Sequence, residues 1–433
     1  RSVLHDGPVD PRRPRGADTT TGSVVELSLP EHGPTDGPGV VSEHMPDAHS
    51  VSVGVWVGVG GRDEDSALAG TSHFLEHLLF KGTEDRSARA IAELVDATGG
   101  EMNAFTTKEY TAYYARLPVG GQETAVALLA DVLREPALRA SDVETERQVI
   151  LEEIHLAADD PDDVVFDLLY EALFPDHTLG REVLGSEASV GALSRDDIAG
   201  FHDHWYRAPN LVVAAAGAVD HEALVSQVGE AFAGRTGGLT PERAKPVAPA
   251  VTARRITRPT EADHVAWGWR GLDRNDPRRH ALAIGVHVLG GGLSSRLFQT
   301  VREERGLAYS VFSSMAAYSD AGVVSVYAGT APERSDELKR VVAHEVGEVA
   351  VHGITDAELS IARDGFEGSL LLGLEGSGSR MSRLGASQSL LGRVVPLDEY
   401  VEILRAVTLD EVNTVLAEVL APDAVVAEVG PTA

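Results

Sequence analysis

Two distant stretches, SRDDIAGFHDHWYRAPNLVVAAAG from Ser194 and TLDEVNTVLAEVLAPDAVVAEVG from Thr408, are built on one plan. In each, a Ser or Thr placed to cap a helix precedes acidic residues in the first turn, a Pro stops the helix, and a Val/Ala strand runs to a Gly. The shift between them is about 214 residues, and it also carries VSVGVWVGVG at Val51 onto VAWGWRGL at Val265. The same shift carries the capping box SDVE at Ser141 onto TDAE at Thr355. A repeat of this kind predicts two copies of one fold. Ser87 to Thr98 reads as an amphipathic helix stopped by Gly99 and Gly100, residues 101–117 as a hairpin turning at Lys108 and Glu109, and 121–134 and 142–157 as helices. Hairpin-connected strands beside long helices point to the α+β class: two homologous domains, each a mostly antiparallel sheet flanked by helices. The expected boundaries are a flexible tail at 1–22, a first domain at 23–232, a Gly/Pro-rich linker at 233–255 and a second domain at 256–433.

Charge and composition remove whole classes of function. With 37 Lys+Arg against 67 Asp+Glu, the formal charge is −30, so a polyanion or an acidic membrane face repels the chain and no nucleic-acid partner is expected. The longest nearly continuous apolar stretch, Leu211 to Val219, is far short of the roughly twenty residues needed to cross a bilayer, so no membrane partner is expected either. There is no cysteine, which rules out disulfides, thiolate metal ligands and a cysteine nucleophile. A transition-metal site in this chain must use His and carboxylates. The lack of cysteine and of an apolar signal core in the N-terminal stretch predicts a soluble, cytoplasmic protein.

The segment SHFLEHLLFK at Ser72 to Lys81 meets that condition. At about 100° per residue, His73, Glu76 and His77 form one polar stripe on a helix otherwise made of Phe74, Leu75, Leu78, Leu79 and Phe80. Burying three ionisable groups on such a helix costs several kcal/mol unless a metal or partners satisfy them. Two histidines one turn apart can direct their nitrogens at a single zinc, and the glutamate beside them can take a proton from an attacking water. Zinc then needs a third protein ligand, most simply a carboxylate from another element. The helix ETERQVILEEIHLAADD offers Glu146 and Glu153, seven residues apart on one face, with Glu152 about 100° away from Glu153. One glutamate can bind metal and another can orient a ligand histidine; periodicity does not say which.

With HFLEHLLFKGT at His73 to Thr83 and VILEEI at Val149 to Ile154, the chain resembles the inverted zincins of the pitrilysin and mitochondrial-processing-peptidase family, the insulinase-type zinc peptidases, as a short two-domain bacterial-type member. The likeness runs from about residue 24 to the C-terminus. It implies that His73, His77 and Glu153 hold one zinc per chain, that Glu76 is the general base, and that Glu146 orients a ligand histidine. It further implies that NAFTTKEYTAYYARL, from Asn103, forms the edge of the active-site sheet, with Asn103 and Ala104 gripping the substrate as an added strand. In the second half GGGLSSRLFQTVREERGLAYSV resembles the family's glycine-rich loop and the Arg and Tyr that complete the site, which places substrate binding on Arg302 and Tyr309, the latter also donating to a developing oxyanion.

Shifting His73, Glu76 and His77 by 214 lands on His287, Gly290 and Gly291, so only the first half can hold this metal. The second domain is then the non-catalytic partner. The expected activity is a zinc-dependent endopeptidase hydrolysing unfolded or extended peptides in a chamber closed by dimerisation, as a homodimer or as a heterodimer with a related subunit. The alternative is a non-catalytic scaffold or peptide-binding subunit of a processing-peptidase-like complex. Other polar clusters carry less: His202 and His204 diverge by about 200° on a helix, and DDPDD at 159–163 lacks the spacing of a calcium loop.

Overall fold

The computed structural model describes residues 24–28, 37–249 and 252–431; the expected tail at 1–22 and residues 250–251 of the expected linker lie outside them. Strands β1 (Val24–Ser28), β2 (Gly39–His44), β3 (Ser50–Val57), β4 (Glu101–Thr106), β5 (Thr111–Pro118) and β6 (Leu211–Gly217) form one sheet in the order β1-β2-β6-β3-β5-β4. Strands β7 (Ala253–Thr257), β8 (Asp263–Gly271), β9 (Ala308–Ala317), β10 (Gly322–Thr330) and β11 (Val425–Gly430) form a second, ordered β7-β11-β8-β10-β9. Each sheet has one parallel pair, β2 with β6 and β7 with β11, and is otherwise antiparallel. The chain is thus α+β with two mixed sheets of matching order, β1 being the extra strand of the first. Strand β7 begins at Ala253, inside the stretch whose composition reads as linker.

Helices α1 (Thr71–Leu79), α2 (Ala88–Thr98), α3 (Gln122–Arg134), α4 (Ala140–Asp159), α5 (Pro161–Leu173), α6 (Glu187–Ala192), α7 (Arg195–Trp205) and α8 (His221–Ala231) lie in the first half. The second half carries α9 (Arg279–Gly290), α10 (Ser335–His352), α11 (Asp356–Gly373), α12 (Ser377–Leu391), α13 (Leu397–Ala406) and α14 (Leu409–Leu420). The paired caps read from the repeat hold at Ser194, Thr408 and Thr355, each closing a reciprocal capping box. Ser141 does not act as a cap. Helix α4 starts two residues earlier than that cap would place it, because Asp142 and Val143 donate their N–H groups to the Arg139 carbonyl and Arg139 is itself the N-cap.

Both faces of the central strands are covered, which is why they are nearly continuous in apolar residues. Val51, Val53, Val55 and Val57 of β3 point into the core beneath α1, α3 and α8, while Trp56 points to the other face. That other face is covered by α12, from the far half of the chain, through Met381 and Leu384. The exchange is reciprocal. Helix α5 of the first half covers β8 and β11 of the second sheet, burying Val165, Leu169 and Leu173 against Ala266, Ala427 and Val429. A Cβ on Gly385 of α12 would lie 2.2 Å from the Trp56 ring, and one on Gly268 of β8 would lie 2.8 Å from Leu173 Cδ1, so glycine lets each helix reach the other half's sheet. Each fully buried apolar side chain in these seams contributes about 1.5–3 kcal/mol. Among the described residues no helix is long and apolar enough to cross a membrane.

Candidate metal centre

Helix α1 is fixed by its apolar side. Phe74, Leu75, Leu78 and Leu79 are buried, and this leaves His73, Glu76 and His77 half-buried on the stripe the sequence predicts. The helix is entered through Gly70 at φ +94°, a backbone conformation that favours glycine, and a Cβ there would also meet the Leu184 carbonyl oxygen at 2.7 Å. Gly70 has no side chain to cap the helix. Instead the buried Glu64 carboxylate accepts the N–H groups of Gly70 at 2.7 Å and Ser72 at 2.6 Å. Burial pushes the Glu64 carboxyl up to about 7, against the pull of these bonds.

Helix α4 packs across α1 and delivers both glutamates of its shared face. Glu153 Oε2 lies 3.6 Å from His73 Nε2 and 3.5 Å from His77 Nε2, and the three donor atoms all fall within 4.8 Å of one another. Among the described residues this is the single group of His, Asp and Glu so arranged. These separations exceed a hydrogen bond. Four donors at about 2.1 Å from a tetrahedral zinc stand about 3.4 Å apart, so the spacing fits an ion between them.

Glu146 takes the other part that periodicity left open. Its Oε2 lies 3.2 Å from His77 Nδ1, and its Oε1 pairs with Lys81 Nζ at 2.5 Å. A carboxylate on Nδ1 places the His77 proton there and leaves the Nε2 lone pair facing Glu153. His73 is held differently: its Nδ1 is buried without a hydrogen-bond partner, and its ring rests edge-on against His77 with centroids 4.7 Å apart. Burial, reinforced by His77, lowers His73 to about 4, so the imidazole is neutral and free to donate. Glu152 is exposed and takes no part.

Glu76 accepts a hydrogen bond from Thr106 Oγ1 at 2.5 Å. Thr106 closes β4, the outermost strand of its sheet, so the glutamate is tied to a free sheet edge. Burial raises the Glu76 carboxyl above the ordinary range, the Thr106 bond opposing it. No sequence signal marks Thr106, Lys81 or Glu64, because each reaches the site only through packing of separate elements. Asn103 is exposed on β4, and its Oδ1 accepts the Ala104 N–H at 2.8 Å.

Arg302 lies in the last turn of a π-helical segment, Phe298–Glu304, and Tyr309 is the second residue of β9, the outer strand of the second sheet. The guanidinium lies over the Tyr309 ring at 4.9 Å, and the tyrosine is 85% exposed. Among the described residues no hydrogen bond or ion pair joins either one to His73, Glu76, His77 or Glu153. The second half fills the repeat-related position with packing: His287 rests on the Phe366 ring at 4.9 Å, and a Cβ on Gly291 would meet His287 Nδ1 at 2.4 Å. His202 is buried against the Leu133 carbonyl at 2.7 Å and His155 pairs with Glu187 at 3.1 Å, so neither forms a second metal group.

Residues 39–187 match the family described as Insulinase (Peptidase family M16), and residues 192–366 match the Peptidase M16 inactive domain. An uncharacterized zinc protease of Mycobacterium bovis is 47% identical over 401 residues, covering 90% of this chain and 91% of that protein. The uncharacterized zinc protease YmxG of Bacillus subtilis is 36% identical over 404 residues, covering 92% and 97%. A solved peptidase M16 inactive domain from Pseudomonas fluorescens superposes with a TM-score of 0.87 at 22% identity over 95% of this chain and 98% of that one. A protease from Helicobacter pylori gives 0.86 at 22% identity over 94% and 100%. At that identity the two structures speak to the fold alone.

Proposed function

The chain belongs to the insulinase family, peptidase family M16, and from that membership we propose that it is a zinc-dependent endopeptidase acting on unfolded or extended peptides inside a chamber closed by a second chain. Relatives named zinc proteases support a peptidase role. The observation that carries the reading is the donor triangle of His73, His77 and Glu153. One zinc per chain, held by these three, would polarise the peptide carbonyl and acidify water beside it.

The chain's own groups supply the rest. Glu76 takes the proton of the attacking water and passes it to the leaving amine, and the Thr106 hydroxyl keeps its carboxylate turned toward the sheet edge. A peptide added to β4 is gripped by main-chain bonds around Asn103 and Ala104, whatever its sequence, and runs alongside the strand that tethers Glu76. Glu146 holds His77 in the tautomer that presents Nε2. Tyr309 donates to the developing oxyanion and Arg302 holds a substrate carbonyl once a peptide bridges the two halves. The match of 192–366 to a domain described as inactive fits this division, with the second half binding and the first half cutting.

The test is zinc content by atomic spectroscopy together with turnover of a quenched fluorescent peptide by the Glu76→Gln variant. The expected result is one zinc per chain in both proteins and a loss of about 10²–10⁴ in turnover for the variant. A zinc-free protein whose turnover ignores the substitution sinks the reading. Light scattering at twice the chain mass is the result expected for the dimer.

A further inference from the structure

A buried polar network joins the two halves beside the metal-binding helix, and it converges on three consecutive residues. The Arg62 guanidinium, 4% exposed, donates to Glu109 Oε1 at 2.6 Å, to Asp320 Oδ2 at 2.7 Å, to Ser319 Oγ at 3.2 Å and to the Ala244 carbonyl at 3.0 Å. Asp63 is clasped by Arg243 through two bonds of 2.8 Å. Glu64 caps α1 through the Gly70 and Ser72 N–H groups. The backbone beneath is pinned as well, since Gly61 and Arg62 donate to the Thr107 and Lys108 carbonyls at 3.1 and 2.8 Å. Arg274 of the second half reaches back to Glu109, whose carboxylate also accepts the Ser319 N–H at 3.1 Å.

The tripeptide therefore reaches three clients: Arg62 holds the β9–β10 turn of the second half and, at Ala244, the connector; Asp63 holds the connector through Arg243; and Glu64 holds the first turn of α1. His73 directly follows Ser72, one of the two residues Glu64 holds. Buried charged groups keep their partners because leaving any of them unpaired is costly, so displacing one end of the network must move the other. We propose that Arg62, Asp63 and Glu64 couple the docking of the second half to the placement of His73 and His77, with Glu64 as the positioning residue for the metal site. This rests on the zinc reading above.

The test is the zinc dissociation constant of the full chain, measured by competition with a chromogenic chelator, for the unsubstituted protein, Glu64→Gln, Asp320→Ala and the double variant. Circular dichroism establishes that each is folded, and Asp320, at the edge of the network and partly exposed, is the substitution best placed to leave folding intact. The coupling predicts weakening of about tenfold for Glu64→Gln, the range seen when supporting partners of metal ligands are lost. It predicts about threefold weakening for Asp320→Ala, and no further loss when Asp320→Ala is added to Glu64→Gln, because the message has lost its carrier. Zinc affinity within twofold of the unsubstituted chain in Asp320→Ala, or full additivity in the double variant, overturns the coupling. An unsubstituted chain that holds no zinc overturns the zinc reading itself, and this inference with it.

Discussion

Truncating Glu146 tests the metal site without touching a proposed ligand. Its carboxylate is 3% exposed and serves two cations or donors, His77 Nδ1 at 3.2 Å and Lys81 Nζ at 2.5 Å. In Glu146→Ala the His77 ring loses the one Nδ1 partner it has among the described residues, so it is free to turn or to carry its proton on Nε2, where it can no longer donate a lone pair. A hydrogen bond to a charged group is worth about 1.5–3 kcal/mol, against about 0.5–1.5 for a neutral one. The alanine variant should thus lose about 10–100-fold in zinc affinity, or about 1.4–2.7 kcal/mol. Glu146→Gln keeps a neutral acceptor and forfeits the difference, about 1 kcal/mol or fivefold. Lys81 is 39% exposed and finds water in either variant, which keeps its contribution to the change small. Isothermal or chelator-competition titration with zinc reads both numbers. Affinity within twofold of the unsubstituted protein for Glu146→Ala, or a greater loss for glutamine than for alanine, refutes the assigned role.

Further perturbations probe other parts of the molecule. Gly385→Ala forces a methyl to within 2.2 Å of the buried Trp56 ring, so α12 must lift or the indole must turn, at a cost of about 1–3 kcal/mol; urea unfolding followed by fluorescence should shift as one transition, and an unchanged midpoint contradicts the packing. The Arg296 guanidinium, helped by the capping bonds of Thr355, holds the Glu358 carboxyl down at about 2. Because this folded value lies below the ordinary one near 4.5, the contribution is complete above that pH and disappears as pH falls toward 2. The melting temperatures of the unsubstituted protein and Glu358→Gln should converge over that window, a gap that persists at pH 2 counting against the assignment. Thr106→Val should slow peptide turnover about tenfold while zinc affinity holds, since it frees Glu76 and touches no ligand; a matching loss of zinc would place the threonine in the wrong role.

Local periodicity was enough to read the polar stripe of α1, because a helix fixes the relation of His73, Glu76 and His77 within its own turns. It also placed Glu146 and Glu153 on one face of α4. Their division of labour was not readable, since it depends on how α4 crosses α1; the family resemblance implied Glu153 as the ligand, and in the structure its carboxylate stands 3.6 and 3.5 Å from the two imidazoles. The repeat was legible through caps and strand ends, and the shift of 214 relates β2 to β7, β3 to β8 and β6 to β11. The SDVE match was deceptive: Ser141 has the right neighbours for a cap, yet Arg139 begins the helix first. The crossing of α5 and α12 was invisible, because an apolar helix face records that it must be covered and not by which sheet. Thr106, Glu64 and the Arg62 network were missed for the same reason, their partners lying 6 to 258 residues away in sequence.

The traded helices impose an order on how this protein is made. His73, His77 and Glu153 are all present in the chain once residue 153 is translated, yet the indole of Trp56 lacks its cover until residues 377–391 follow, more than two hundred positions later. Leu169 and Leu173 likewise wait for the strand at 263–271 and then, beyond α12, for the one at 425–430. A product terminated before α12 therefore carries His73, His77 and Glu153 on a half with an uncovered apolar flank, the kind of surface that favours aggregation. Completion of the first half's packing is in this way tied to synthesis of the carboxyl end.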